Sequence, residues 1–81
     1  MTADEVQKKI QAALPGATVR VQSDDNVHFG ALIIAPQFAG LRTIKRHQLV
    51  YAALGAAVGG EIHALSLETP TPEEWSARRG G

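Results

Sequence analysis

Three histidines carry most of the chemistry this chain can offer. The protein has 81 residues and no cysteine. It therefore forms no disulfide, has no thiol nucleophile and brings no thiolate to a metal. His63 lies in the stretch Ile62-His63-Ala64-Leu65-Ser66-Leu67 and is the one residue there with metal or acid–base chemistry. Spacing alone favours a strand residue with no chemical role. His28 is the second residue of a second apolar run, Val27 to Ile34, which follows Ser23-Asp24-Asp25-Asn26. His47 falls between Ile44 and Val50 on a helical stripe. A histidine so placed is expected to be structural, its ring N–H bonded to backbone. Arg42, Lys45 and Arg46 put three cations and no acid at the start of that helix. They read either as a solvated face or as a docking patch for an acidic partner or phosphate.

Enzyme chemistry finds little support. Ser66 and Thr71 have no base partner in the pattern, and Thr71 is explained as a helix cap. Glu73 and Glu74 are first-turn acids that suit the helix dipole. No phosphate-cradling loop occurs, and we expect no catalysis.

The elements that must position these residues can be read from caps and periodicity. Thr2-Ala3-Asp4-Glu5 is a capping box, and the helix it opens places Val6, Ile10, Ala13 and Leu14 near one stripe. Pro15-Gly16 stops it. Ala17 to Gln22 alternates as a half-buried strand with Ala17, Val19 and Val21 inward. The turn Ser23–Asn26 leads into a second strand, Val27 to Ile34, which the short turn makes antiparallel to the first. A helix follows from about Leu41 to Val58, with Ile44, His47, Val50, Tyr51, Leu54 and Val58 on its apolar face and Gly59-Gly60 ending it. Glu61 to Leu67 is the third strand, parallel to the second because a helix connects them. Thr71, Pro72 and Glu74 then form a complete helix-start signal, with Pro70 and Trp75 as a hydrophobic staple. Residues 78–81 read as a polar, frayed tail on an ordered core of about 2–77. The pattern predicts an α+β domain spanning residues 1–81: helix-strand-strand-helix-strand-helix, a three-stranded mixed sheet, helices on one face. Leu32, Ile34, Val50, Leu54, Leu65 and Leu67 are the expected core.

Composition bounds the rest. Hydrophobic residues make up 44% of the chain, which suits a packed domain and not a disordered one. Eight basic residues balance eight acidic ones, so net charge gives no signal for nucleic acid or membrane. The polar N-terminal helix lacks the apolar core of a signal peptide, and no apolar run is long enough to cross a bilayer. A cytoplasmic protein without a membrane partner is expected.

Several fragments together resemble the BolA-like family. They are Ser23-Asp24-Asp25-Asn26-Val27-His28-Phe29, Phe38-x-Gly40, Arg46-His47-x-Leu49-Val50-Tyr51-x-x-Leu54, Ile62–Leu67 and Thr71-Pro72-x-Glu74-Trp75. The likeness covers nearly the whole chain, and the short loop before His28 is similar to the compact bacterial and cyanobacterial members. The resemblance implies a type II KH-like fold. It also implies a non-enzymatic interaction protein that binds a monothiol glutaredoxin and shares a bridging [2Fe–2S] cluster, with none held by the chain alone. Its alternative is a DNA-binding regulator of transcription and stress response. His63 matches the family's cluster histidine. The family's second ligand comes from the loop that here is Ser23–Asn26, with neither His nor Cys, so His28 is the nearest candidate and Asp25 a poor, hard donor. Arg42, Lys45 and Arg46 would meet the partner, glutathione carboxylates or DNA. Alone, the chain is expected to be a monomer or weak homodimer. The Gly-x-x-Gly loop of RNA-binding KH domains is not reproduced by Gly55 and Gly59-Gly60.

Overall fold

The computed structural model describes residues 1–80. The elements are α1 (Ala3–Ala13), β1 (Thr18–Gln22), β2 (His28–Ile34), α2 (Thr43–Leu54), β3 (Ala64–Glu68) and α3 (Pro72–Gly80), with short 3-10 turns at Pro36–Phe38 and Gly55–Ala57. Reciprocal capping starts both terminal helices. The Glu5 N–H donates to Thr2 Oγ1 at 3.2 Å and the Thr2 N–H to Glu5 Oε1 at 3.0 Å. The Glu74 N–H donates to Thr71 Oγ1 at 3.1 Å, and the Thr71 N–H to Glu74 Oε1 at 2.9 Å. Each pair satisfies two helix-end donors that would otherwise need water.

The sheet runs β1-β2-β3, with β1 antiparallel to β2 and β2 parallel to β3. This is the expected mixed sheet. Val19 faces Ile33, Val21 faces Ala31, and Phe29 and Ala31 face Leu65 and Leu67. Those side chains share one face with Val6 and Ile10 of α1 and Val50 and Leu54 of α2; Phe29, Ala31 and Ile33 are buried there, and Val21, Leu65 and Leu67 half-buried. Strand residues alternate sides. Leu32 and Ile34, expected in the core, therefore lie on the opposite face and are half-buried. There they line a hollow with Thr18, Arg20, Pro72 and Trp75. So α3 borders the open face instead of joining α1 and α2.

α2 is shorter at both ends than its periodicity suggested. Gly55, at φ 59° and ψ −134°, stops it several residues before Gly59-Gly60. Ile44 is 61% exposed and Tyr51 40%, so the apolar stripe buries only Val50 and Leu54 fully. Nearer its start, Arg46 turns inward instead. The Arg46 Nε donates to the Leu41 carbonyl at 2.8 Å, and Nη1 to the Thr69 carbonyl at 2.9 Å. Both terminal nitrogens donate to the Glu74 carboxylate, at 2.6 and 3.1 Å. The guanidinium also lies 6.0 Å from the centre of the fully buried Phe38 ring. Arg46 thus ties the start of α2 to the β3–α3 turn.

At the C-terminal end, the expected tail is the last part of α3, which continues through Gly80. Arg78 Nη1 donates to Glu68 Oε2 at 2.9 Å. Gly81 lies outside the described residues.

Candidate functional site

The Ser23–Asn26 turn is held by its own side chains. The Asn26 N–H donates to Ser23 Oγ at 2.9 Å, and that hydroxyl donates to the His28 carbonyl at 2.7 Å. Asn26 takes φ 59°, a left-handed conformation that asparagine tolerates better than most residues. Asp25 Oδ1 accepts from the Val27 N–H at 2.9 Å and the His28 N–H at 2.8 Å. The carboxylate is thereby fixed, and its other oxygen faces the His28 ring, where Nδ1 and Oδ2 are 2.7 Å apart. The His28 N–H and ring, then the Val27 N–H, hold the Asp25 carboxyl well below the usual carboxylate range.

His63 arrives from the other end of the crossover. It stands one residue before β3, not inside the strand expected over Glu61–Leu67. Ile62 beside it is 1% exposed and anchors the segment; its N–H donates to the Ala57 carbonyl at 2.9 Å. The Val27 carbonyl accepts from the His63 N–H at 2.9 Å and from the Ala64 N–H at 3.3 Å. These bonds bring the two imidazoles edge to face, ring centres 5.7 Å apart and planes at 85°. Both histidines are exposed. His28 also lines a shallow hollow on the open sheet face with Gln22, Ser23, Asp24, Gly30 and Ser66. Among the described residues, no three His, Cys, Asp or Glu side chains gather in a metal-holding set. This end of the sheet therefore offers two adjacent nitrogen donors, and further ligands would come from outside the chain.

The other sequence candidates lie elsewhere. α2 leaves the C-terminal end of β2 and returns to the N-terminal end of β3. Its start, with Arg42 just before it and Lys45 in its first turn, is therefore at the opposite end of the sheet from the histidine pair. Arg42 and Lys45 are exposed. The Arg46 side chain is only 12% exposed and fully engaged, so it does not belong to an accessible basic patch. His47 is half-buried and lines a cleft with Thr43, Arg46, Thr69, Glu74 and Arg78. No hydrogen bond from its ring to backbone is present among the described residues, contrary to the sequence expectation. Sequence reasoning also missed Asp25 as a partner of His28. The available signal was an acid three residues before a histidine within a tight turn.

Comparison with known proteins places this arrangement in context. The family model for BolA-like proteins matches residues 3–74. The solved structure of a BolA protein homologue from Coxiella burnetii superposes with a TM-score of 0.82 at 38% identity, over 94% of this chain and 97% of that one. An uncharacterized protein of Haemophilus influenzae is 34% identical over 98% of this chain and 93% of its own length. A second protein of that organism, named a DNA-binding transcriptional regulator BolA, is 29% identical over 90% of this chain and 80% of its own length. The chain spans 58% of the length of human BolA-like protein 1 and 41% of the bovine one.

Proposed function

As this chain belongs to the BolA-like family, we propose that it is an interaction protein of iron–sulfur metabolism. It would pair with a monothiol glutaredoxin and share a bridging [2Fe–2S] cluster through His63. The observation that carries this reading is the exposed His28–His63 pair in a chain without cysteine. Imidazole is the one strong ligand type the chain owns for a soft iron centre. Two imidazoles leave the remaining positions to thiolates, which the partner's cysteine and glutathione would supply. When bound, such a cluster supplies one-electron chemistry at a potential that imidazole ligands raise. The chain's part is to present His63 at a fixed place: buried Ile62 and the bond to the Val27 carbonyl set the backbone, and the exposed ring faces the partner.

The test mixes the protein with a monothiol glutaredoxin, glutathione, iron and sulfide, and records visible absorption and circular dichroism. We expect a spectrum distinct from that of the glutaredoxin homodimer. His63→Ala should erase the difference while leaving the fold intact, because the segment is anchored by Ile62, Leu65 and Leu67. A mixed-complex spectrum unchanged by His63→Ala, with the variant folded and still bound, would overturn the reading.

A second reading is a DNA-binding regulator, which the name of the Haemophilus influenzae relative favours. Arg42, which precedes α2, and Lys45 in its first turn are the exposed cations there. With Arg46 withdrawn to Glu74, that helix start offers few phosphate contacts.

A further inference from the structure

We infer that Asp25 is a positioning residue, which holds the His28 ring so that its Nε2 becomes the second imidazole donor beside His63. The inference rests on the cluster-sharing reading above and names the ligand that the Ser23–Asn26 loop itself lacks.

The argument starts from the turn. Asp25 Oδ1 is locked by two backbone N–H groups, so the carboxylate plane cannot swing freely. Its Oδ2 then meets His28 Nδ1 at 2.7 Å, a short, charge-assisted contact. A carboxylate is acceptor-only, so Nδ1 must carry the hydrogen. In the neutral ring this places the lone pair on Nε2, the far nitrogen. A metal-bound histidine commonly has its other nitrogen tied to a carboxylate or carbonyl in this way. The side chains of Asp25 and His28 are 50% and 62% exposed. An ion pair so open to water contributes little to stability. Its effect is on orientation: one tautomer and one ring direction, next to a second imidazole whose centre is 5.7 Å away. Asp25 reaches the site through His28 and is not itself a ligand.

Two measurements test this. Long-range proton–nitrogen spectra of the protein alone, recorded under mildly alkaline conditions, report the His28 tautomer without any cluster. We expect the Nδ1–H form in the native chain and a mixture of both forms in Asp25→Ala. Pulsed EPR of the reduced mixed complex with a monothiol glutaredoxin counts the imidazole nitrogens coupled to iron. We expect two in the native complex and one in His28→Ala. In Asp25→Ala the second coupling should weaken or vary, and Asp25→Glu should restore it in part. An Nε2–H tautomer in the native chain overturns the inference, and so does a single coupled nitrogen in a cluster that still depends on His63. Both results leave the cluster-sharing reading intact. A native chain that assembles no cluster with the partner overturns that reading, and the donor role of His28 with it.

Discussion

Glu74 serves two partners with one carboxylate. It accepts from the Thr71 N–H that it caps, and from the Arg46 guanidinium of another helix. Arg46 first and the Thr71 N–H second lower its pKa from 4.5 to about 2. The folded value lies below the unfolded one, so the stabilisation is fully present above the ordinary carboxylate range and fades as pH falls through it toward the folded value. NMR titration of the Glu74 carboxyl should show this depressed midpoint. Arg46→Gln should move it back toward 4.5, and should lower Tm relative to the native chain by more at neutral pH than at low pH. An unchanged midpoint in that variant would show that the cap alone holds the carboxylate. The pairing was not legible in the sequence. Arg46 sits among other cations at the start of one helix, and its acid lies on a different one. By contrast, Asp25 and His28 are three positions apart in one turn, and that bond was within reach of local reasoning.

Elements whose signals are local were read correctly, and those whose limits depend on packing were not. Both capping boxes and the antiparallel turn follow from residues close in sequence, and the parallel crossover from the order strand, helix, strand. The run Ala31-Leu32-Ile33-Ile34 is apolar on both faces, so no alternation marks which side meets the core. Only the register with Val19 and Val21 decides it, and Leu32 and Ile34 fall on the open side. The end of α2 was misplaced because a glycine within an apolar helical pattern does not by itself declare a stop. Gly55 adopts φ 59° and ψ −134°, which a residue with a side chain resists. A Cβ there would meet open space, so Gly55→Ala tests backbone strain without steric conflict. We expect a loss of about 1–3 kcal/mol, measured by urea unfolding, with each kcal/mol lowering Tm by about 4–8 °C. A neutral or stabilising result would mean that the α2 terminus relaxes into another geometry.

At the scale of the whole molecule, the topology separates the two candidate surfaces. The histidine pair occupies one end of the sheet, and Arg42 and Lys45 the other. A duplex held by those two cations would release few counterions. The slope of log K against log salt should be shallow, about −2 for two phosphates neutralised. Fluorescence anisotropy over a salt series checks this. A slope steeper than about −5 would require contacts well beyond α2 and would favour the regulatory reading. The histidine pair has a different global consequence. His28 opens β2 and His63 directly precedes β3, so the two become neighbours only once the long connection through α2 has closed. Whatever bridges the two rings therefore acts as a clasp on the most distant pairing in the sheet. A ligand that bound the native chain and not the denatured one would shift the folding equilibrium by about 2.7 kcal/mol at a hundredfold excess over its Kd. Occupancy of such a site and survival of the fold would then be a single linked quantity.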